Sequence, residues 1–229
     1  MNLRPMWCLF AFIGLAHLAM AGDLATFANL GFSENSEYFM FSQYGVDSDT
    51  NKPWAEASTV RVAGNKFVQN GVKKSVYSTS LQPGQDPVGA LYSILSETAS
   101  LSAKFKINHL LQGRILYLLI NGDSVKSVLD FRDFNTGAAY TVKLLQNSSG
   151  DGDKAKAAFH VLVGVVGKDG KSKSYTVGLP GYYREGVKEY RIKQILLSPN
   201  EKNLVIVIEK DLHSAKGKFV RYMVETLKL

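Results

Sequence analysis

Along most of the chain, apolar and polar residues alternate in short runs separated by turn residues, which is the period-two signature of strands. Thr59-Val60-Arg61-Val62 alternates strictly. Further strand runs are Ile115 to Ile120, Val125 to Phe131, Ala139 to Leu145, Phe159 to Val166 and Ser174 to Leu179. Tyr190 to Leu197, Leu204 to Glu209 and Phe219 to Leu227 finish the chain. Asn121-Gly122 predicts a two-residue hairpin between the runs on either side of it. Asn135-Thr136-Gly137 and Lys168-Asp169-Gly170 predict two more. Leu204 to Ile208 is apolar without a break, as for a strand covered on both faces, so residues 190–227 are expected in the core. Residues 46–53, 78–87 and 146–154 read as loops, the last being the most polar.

Two stretches repeat a pattern. Phe32-Ser33-Glu34-Asn35 leads into Tyr38-Phe39-Met40-Phe41, and Leu197-Ser198-Pro199-Asn200 leads into Leu204-Val205-Ile206-Val207. Each is an apolar residue, a serine, a polar turn and a strand, the hairpin pattern of propeller blades. The repeat of about 40 residues that a full propeller requires is not visible. One segment departs from period two. Asp86 can cap a helix with Pro87 at its first position, and Val88, Leu91, Ile94, Leu95 and Leu101 fall at helical spacing. The expected fold is mainly β: antiparallel sheets built from propeller-like hairpins, with one amphipathic helix near residues 86–104.

The N-terminus changes the picture. Arg4, the apolar run Met6 to Met20 and Ala19-Met20-Ala21 form a secretory signal peptide over residues 1–21, with cleavage expected before Gly22. Residues 22–229 are then a single β-rich secreted domain, periplasmic or released. Cys8, the only cysteine, leaves with the signal. A cysteine-free mature chain has no disulfides, no thiolate catalysis and no cysteine metal site. With 45% hydrophobic residues the chain has enough apolar surface for a packed core. Its formal net charge is +7, unevenly spread. Residues 22–86 carry five bases and seven acids, and residues 87–229 carry 21 bases and 13 acids. Such a basic half attracts anionic lipid or polyanionic envelope polymers. Export speaks against nucleic acid as a partner, and no later run is long enough to span a membrane.

Candidate chemistry is sparse. Gly122-Asp123-Ser124 follows a strand, as an esterase nucleophile does, and His213 is the available base. However, Asp211-Leu212-His213 is one residue short of the usual spacing. Gly170-Lys171-Ser172 lacks the glycine a phosphate loop needs at Val165. Asp47-Ser48-Asp49-Thr50-Asn51 resembles a calcium loop, but Lys52 and Ser58 occupy its key glycine and glutamate positions. His109, His160 and His213 lie too far apart for a local zinc site. The remaining recognition candidates are aromatic: Tyr182, Tyr183 and Arg184 in a Pro-Gly loop, and Trp54 after Lys52-Pro53, residue types that stack on sugars or anchor a protein partner.

Gly31-Phe32-Ser33, Tyr38-Phe39-Met40-Phe41 and Gln43-Tyr44-Gly45-Val46, together with Tyr190-Arg191-Ile192, Leu197-Ser198-Pro199-Asn200 and Arg221-Tyr222-Met223-Val224-Glu225-Thr226, resemble a bacterial family of secreted proteins, domain of unknown function 2259. The resemblance implies export and one β-rich domain, and it carries over no functional residue. No cofactor, metal or catalytic residue is expected. The chain reads as a non-enzymatic binding or structural module of the bacterial envelope, with an envelope protein or glycan as partner. A hydrolase acting on an envelope ester or glycan, through Asp123, Ser124 and His213, is the alternative.

Overall fold

The computed structural model describes residues 22–82, 84–120, 122–215 and 217–229. The expected signal segment and Asn121 lie outside them. Three sheets form from local meanders. The front sheet holds β2 (Thr26–Ser33), β3 (Tyr38–Val46), β4 (Pro53–Arg61), β5 (Lys66–Val76) and the short β6 (Ile107–Asn108), in the order β5-β4-β3-β2-β6. The back sheet orders β8 (Val128–Arg132), β9 (Ala139–Ser149), β10 (Lys156–Val166) and β11 (Ser172–Glu185) as β11-β10-β9-β8. The central sheet joins distant segments: β1 (Asp23–Leu24), β7 (Arg114–Leu118), β12 (Val187–Leu197), β13 (Asn203–Leu212) and β14 (Phe219–Lys228), ordered β1-β14-β13-β12-β7. Pairing is antiparallel except between β1 and β14.

The central sheet is buried on both faces. Leu204, Ile206 and Ile208 point to the back sheet and pack with Val142, Phe159 and Val161. Val205 and Val207 point the other way, onto Phe39, Phe41 and Val60 of the front sheet. All five β13 residues from Leu204 to Ile208 are fully buried, as their unbroken apolar run implies. The hairpins thus build a layered stack, mainly β and antiparallel, with the outer sheets on opposite faces of the central one. On the far face of the front sheet, Ala90 and Ile94 pack with Leu30, Met40, Ala55 and Ala57.

Both repeated turns have one geometry. In the first, Tyr38 N–H donates to Ser33 Oγ at 3.0 Å, Ser33 Oγ donates to Asn35 Oδ1 at 2.8 Å, and Ser36 is left-handed at φ 57°. In the second, Asn203 N–H donates to Ser198 Oγ at 3.0 Å, Ser198 Oγ donates to Asn200 Oδ1 at 2.7 Å, and Glu201 has φ 58°. The two turns also bond to each other: Asn200 Nδ2 donates to Asn35 O and Asn203 Nδ2 to Ser36 O, both at 3.2 Å.

Four local expectations change. First, the runs around Asn121-Gly122 do not pair with each other. β7 pairs with β12 and β8 with β9, because each satisfies a sheet edge with an apolar face to cover. Second, the helix is two helices, α1 (Val88–Glu97) and α2 (Ala99–Lys104). Thr98 separates them, its hydroxyl bonding back to Ile94 O at 2.7 Å, a competition that weakens helix continuity. Pro87 takes the N-cap position, with the Asp86 carboxylate accepting Val88 N–H at 2.8 Å. Third, Gln146 to Ser149 extend β9 as far as the partner strand reaches. The Gln146 side chain substitutes for a ladder, bonding Tyr190 N and O at 2.7 and 3.1 Å. Fourth, Pro180 to Arg184 lie within β11, although Leu179 pairs with Phe159 and Arg184 with Ala157, so residues 180–183 form a wide bulge.

One ion pair ties the layers together. Arg114 on β7 holds Asp133 of the β8–β9 turn through both guanidinium nitrogens and also reaches Glu201 at 2.8 Å. Asp133 is 4% exposed, and the Arg114 guanidinium beside it pulls its carboxyl down from 3.8 to about 2. A depressed carboxyl stabilises above its unfolded pKa and loses that contribution as pH falls through its folded one. Asp133→Asn is therefore expected to cost about 2 kcal/mol at neutral pH. The deficit should vanish as pH drops from about 4 to about 2. Denaturant titrations of both proteins across that range check it, and a deficit that persists at the acid end contradicts it.

Candidate functional site

The site is built where the first turn, the front sheet and α2 meet. Tyr38 opens β3 directly after the Ser33 turn and lies in register with Arg61 at the end of β4. Arg61 Nη2 donates to Tyr38 Oη at 3.1 Å, and its guanidinium carbon stands 5.7 Å from the ring. The β4–β5 turn returns the chain at Lys66 and Phe67, and Phe67 is 55% exposed. α2 ends at Lys104. Phe105 then caps it, and Lys106 turns left-handed at φ 50°, so the three residues reach the same surface. The Phe105 ring lies 4.7 Å from that of Tyr38.

These residues wall two adjoining hollows of about 400 and 520 Å³, which share Tyr38, Lys104 and Phe105. A third, of about 460 Å³, continues past Lys104 toward Lys73 and Glu97. Across the three, Arg61, Lys66, Lys73, Lys104 and Lys106 face only two carboxylates, Glu34 and Glu97. Glu97 is already engaged: Ser75 and Tyr77 hydroxyls donate to it at 2.7 and 3.0 Å, and Lys73 stands 3.6 Å away. Those hydroxyl bonds hold its carboxyl below the usual range. Burial, with the neighbouring Glu97 charge, pushes the Tyr77 phenol up to about 12, so it remains a donor. The result is a trough lined by three aromatic rings, Tyr38, Phe67 and Phe105, and by five cations. Rings stack on the flat faces of sugars, and the cations attract carboxylate, sulfate or phosphate groups.

The sequence candidates fall elsewhere. Tyr182 and Tyr183 are 57% and 41% exposed on the β11 bulge. Arg184 sits 5.0 Å from the Tyr182 ring and 5.4 Å from Phe159, and Lys156 lies 5.8 Å from the Tyr183 ring. Trp54 is not beside them. It is 3% exposed in the front-sheet core, beneath the Arg221 guanidinium at 4.1 Å. The proposed hydrolytic residues are not joined. Asp123 accepts its own Ile120 N–H at 3.1 Å, and His213 Nε2 faces Asp153 at 3.6 Å. Among the described residues no hydrogen bond connects Ser124 to His213, whereas proton transfer needs that reach. Asp47 uses its carboxylate on its own loop, accepting Asp49 N, Thr50 N and Thr50 Oγ1 at 2.9–3.0 Å. His109 Nδ1 bonds Leu30 O at 2.6 Å.

Sequence reading missed the trough because its members come from three segments, residues 33–38, 61–69 and 104–106, that are far apart along the chain. The acidic balance of residues 22–86 also hides Arg61 and Lys66. The one local signal is Lys104-Phe105-Lys106, a ring between two bases at a helix end.

A family model described as "Predicted secreted protein (DUF2259)" matches residues 40–228. A search of curated proteins finds no match. Among the described residues, no helix is long and apolar enough to cross a membrane.

Proposed function

The chain belongs to the DUF2259 family of predicted secreted proteins, and from that premise we propose that it is a non-enzymatic binding module of the bacterial envelope whose ligand is an acidic glycan. One observation carries this reading: three aromatic rings, Tyr38, Phe67 and Phe105, share a trough with five cations and two carboxylates. The rings take the sugar faces, and Lys104, Lys66 and Arg61 take the acidic groups. Binding of this kind weakens with salt, because exposed charges beyond about 10 Å are screened at 0.1 M. The Tyr182–Tyr183 bulge, with Lys156 and Arg184 over its rings, has similar chemistry and offers a second point of contact.

Titration calorimetry of the exported protein with alginate, and with neutral dextran as the control, tests the proposal. Alginate is expected to bind and dextran to bind far more weakly. Lys104→Glu and Phe105→Ala should each weaken alginate binding by about tenfold, a change of about 1.4 kcal/mol. Lys168→Glu, on the back-sheet hairpin, should leave it unchanged. Equal affinity in all three variants, or no binding by the parent protein, would overturn the assignment. Release of shortened glycan during the titration would favour the hydrolase instead.

A further inference from the structure

Four arginines among the described residues are partly buried: Arg114, Arg184, Arg191 and Arg221. Three of them hold carboxylates. Arg114 takes Asp133 and Glu201, Arg191 takes Glu189, Glu209 and Asp211, and Arg221 takes Asp23. Arg184 differs. Among the described residues no carboxylate comes within ion-pair distance of it, and its Nη1 is buried with no hydrogen-bond partner. A buried donor left unpaired is destabilising, the more so when it carries charge. Native folds keep few such groups, and each calls for a partner or a role.

The neighbours of Arg184 do not supply that partner. Arg184 is in register with Ala157, whose carbonyl accepts the Tyr190 hydroxyl at 3.1 Å. Tyr190 is in turn in register with Lys210, a second cation. Burial lowers the Lys210 amine, Glu56 opposes this, and the Arg184 charge adds to it. Burial raises the Glu225 carboxyl, with Asn65 and Arg184 acting against it. Glu225 is 5% exposed, however, and accepts Asn65 Nδ2 instead. The guanidinium carbon stands 5.4 Å from the buried Phe159 ring and 5.0 Å from the exposed Tyr182 ring, so Arg184 lies where core meets surface. Tyr182 rides on residues 180–183, which face only Ala158 in the ladder. Nothing lies within 4 Å of where a Gly181 side chain would start, which leaves the Tyr182 segment room to move. Lys156, 5.8 Å from the Tyr183 ring, adds a cation on the outside.

We propose that the β11 bulge is a binding site for a sugar acid, whose carboxylate accepts from Arg184 Nη1 while the Tyr182 ring turns off the guanidinium and onto the sugar face. A charge-assisted bond then replaces an empty donor, and Lys156 adds attraction at the rim. The choice of a sugar acid rests on the glycan reading above, whereas the anion site itself rests on Arg184. The bulge belongs to the back sheet and the trough to the front sheet and α2. The two sites therefore engage separate stretches of a repeating polymer, and avidity follows.

Nuclear magnetic resonance titration of the exported protein with glucuronate, and with glucose and inorganic phosphate for comparison, tests this. Glucuronate is expected to shift the signals of Tyr182, Tyr183 and the Arg184 side chain. Glucose should not, and phosphate should bind more weakly, because it offers the rings nothing. Arg184→Gln should weaken glucuronate binding at the bulge by about tenfold, the loss of one charge-assisted hydrogen bond. Its melting temperature should not fall, because Nη1 gives no hydrogen bond to the chain. Lys156→Glu, at an exposed position, should weaken binding too, and Lys168→Glu should leave it unchanged. Bulge signals that stay still, or equal binding by the parent and Arg184→Gln, overturn the proposal. So does phosphate binding as tight as that of glucuronate, because the sugar ring then plays no part. A large drop in melting temperature for Arg184→Gln overturns it as well, because the guanidinium then serves the fold. Shifts at Tyr38 and Phe105 report the trough separately, so failure of one site is read apart from failure of the other.

Discussion

Changing Ile206 to Asp is expected to abolish cooperative folding. Ile206 has no exposed surface and lies mid-way along β13, with β12 and β14 on either side and the back sheet over its side chain. Losing the burial of an isoleucine side chain costs about 1.5–3 kcal/mol. Placing an unpaired carboxylate there adds several kcal/mol more. Together these approach the about 5–15 kcal/mol that holds a whole domain. Ending the chain at Asp211 should have the same effect, because it removes β14 and, with it, Val220, Tyr222 and Val224 from the front-sheet core. Ile206→Val, which keeps the shape and loses one methyl group, is expected to cost only about 1 kcal/mol. Circular dichroism melts compare the three, and a truncated protein that melts cooperatively near the full-length temperature would show this sheet to be peripheral.

The second large effect is expected at Asp23. Arg221 donates to its carboxylate at 2.9 and 2.6 Å and to its carbonyl at 3.2 Å, with the carboxylate 4% and the arginine side chain 15% exposed. The guanidinium lies between the rings of Trp54 and Phe219, at 4.1 and 4.0 Å. Asp23→Ala leaves that cation buried between two rings without its counter-charge. Breaking a buried pair from one side costs about 3–5 kcal/mol. For a chain of this size that corresponds to a melting temperature lower by about 10 °C. Adding Arg221→Met to Asp23→Ala should recover a large part of the loss, because the uncompensated charge is gone. A double variant no more stable than the single one would show that the pair contributes through packing alone.

What was legible in the sequence follows from the range of each interaction. The apolar run from Leu204 to Ile208 announces a strand covered on both faces, since nothing else tolerates it. The Ser33 and Ser198 turns announce themselves because their bonds close within five residues. The Lys168-Asp169-Gly170 hairpin forms as read, with Gly170 at φ 77°. Asn121-Gly122 misleads for the opposite reason. A good turn signal is worth less than the apolar edge of β12, some 75 residues away, that claims β7. Trp54 reads as a recognition aromatic beside Lys52-Pro53, yet it is buried, and the nearer of the two cations over its ring comes from Arg221 at the other end of the chain. The trough assembles from three separate segments, and the single clue within one of them is Lys104-Phe105-Lys106.

The layer on which both outer sheets rest is made from the chain's last strands and closed by its first. A polypeptide that emerges from a translocation pore N-terminus first presents the front and back meanders before β12, β13 and β14 exist. Until those strands arrive, Phe39, Phe41, Val142 and Phe159 have no opposing surface. Neither outer sheet can complete its packing early, and contacts of such long sequence separation form slowly. The strand order thus defers the packing of both outer sheets onto the central one until the last strands are available.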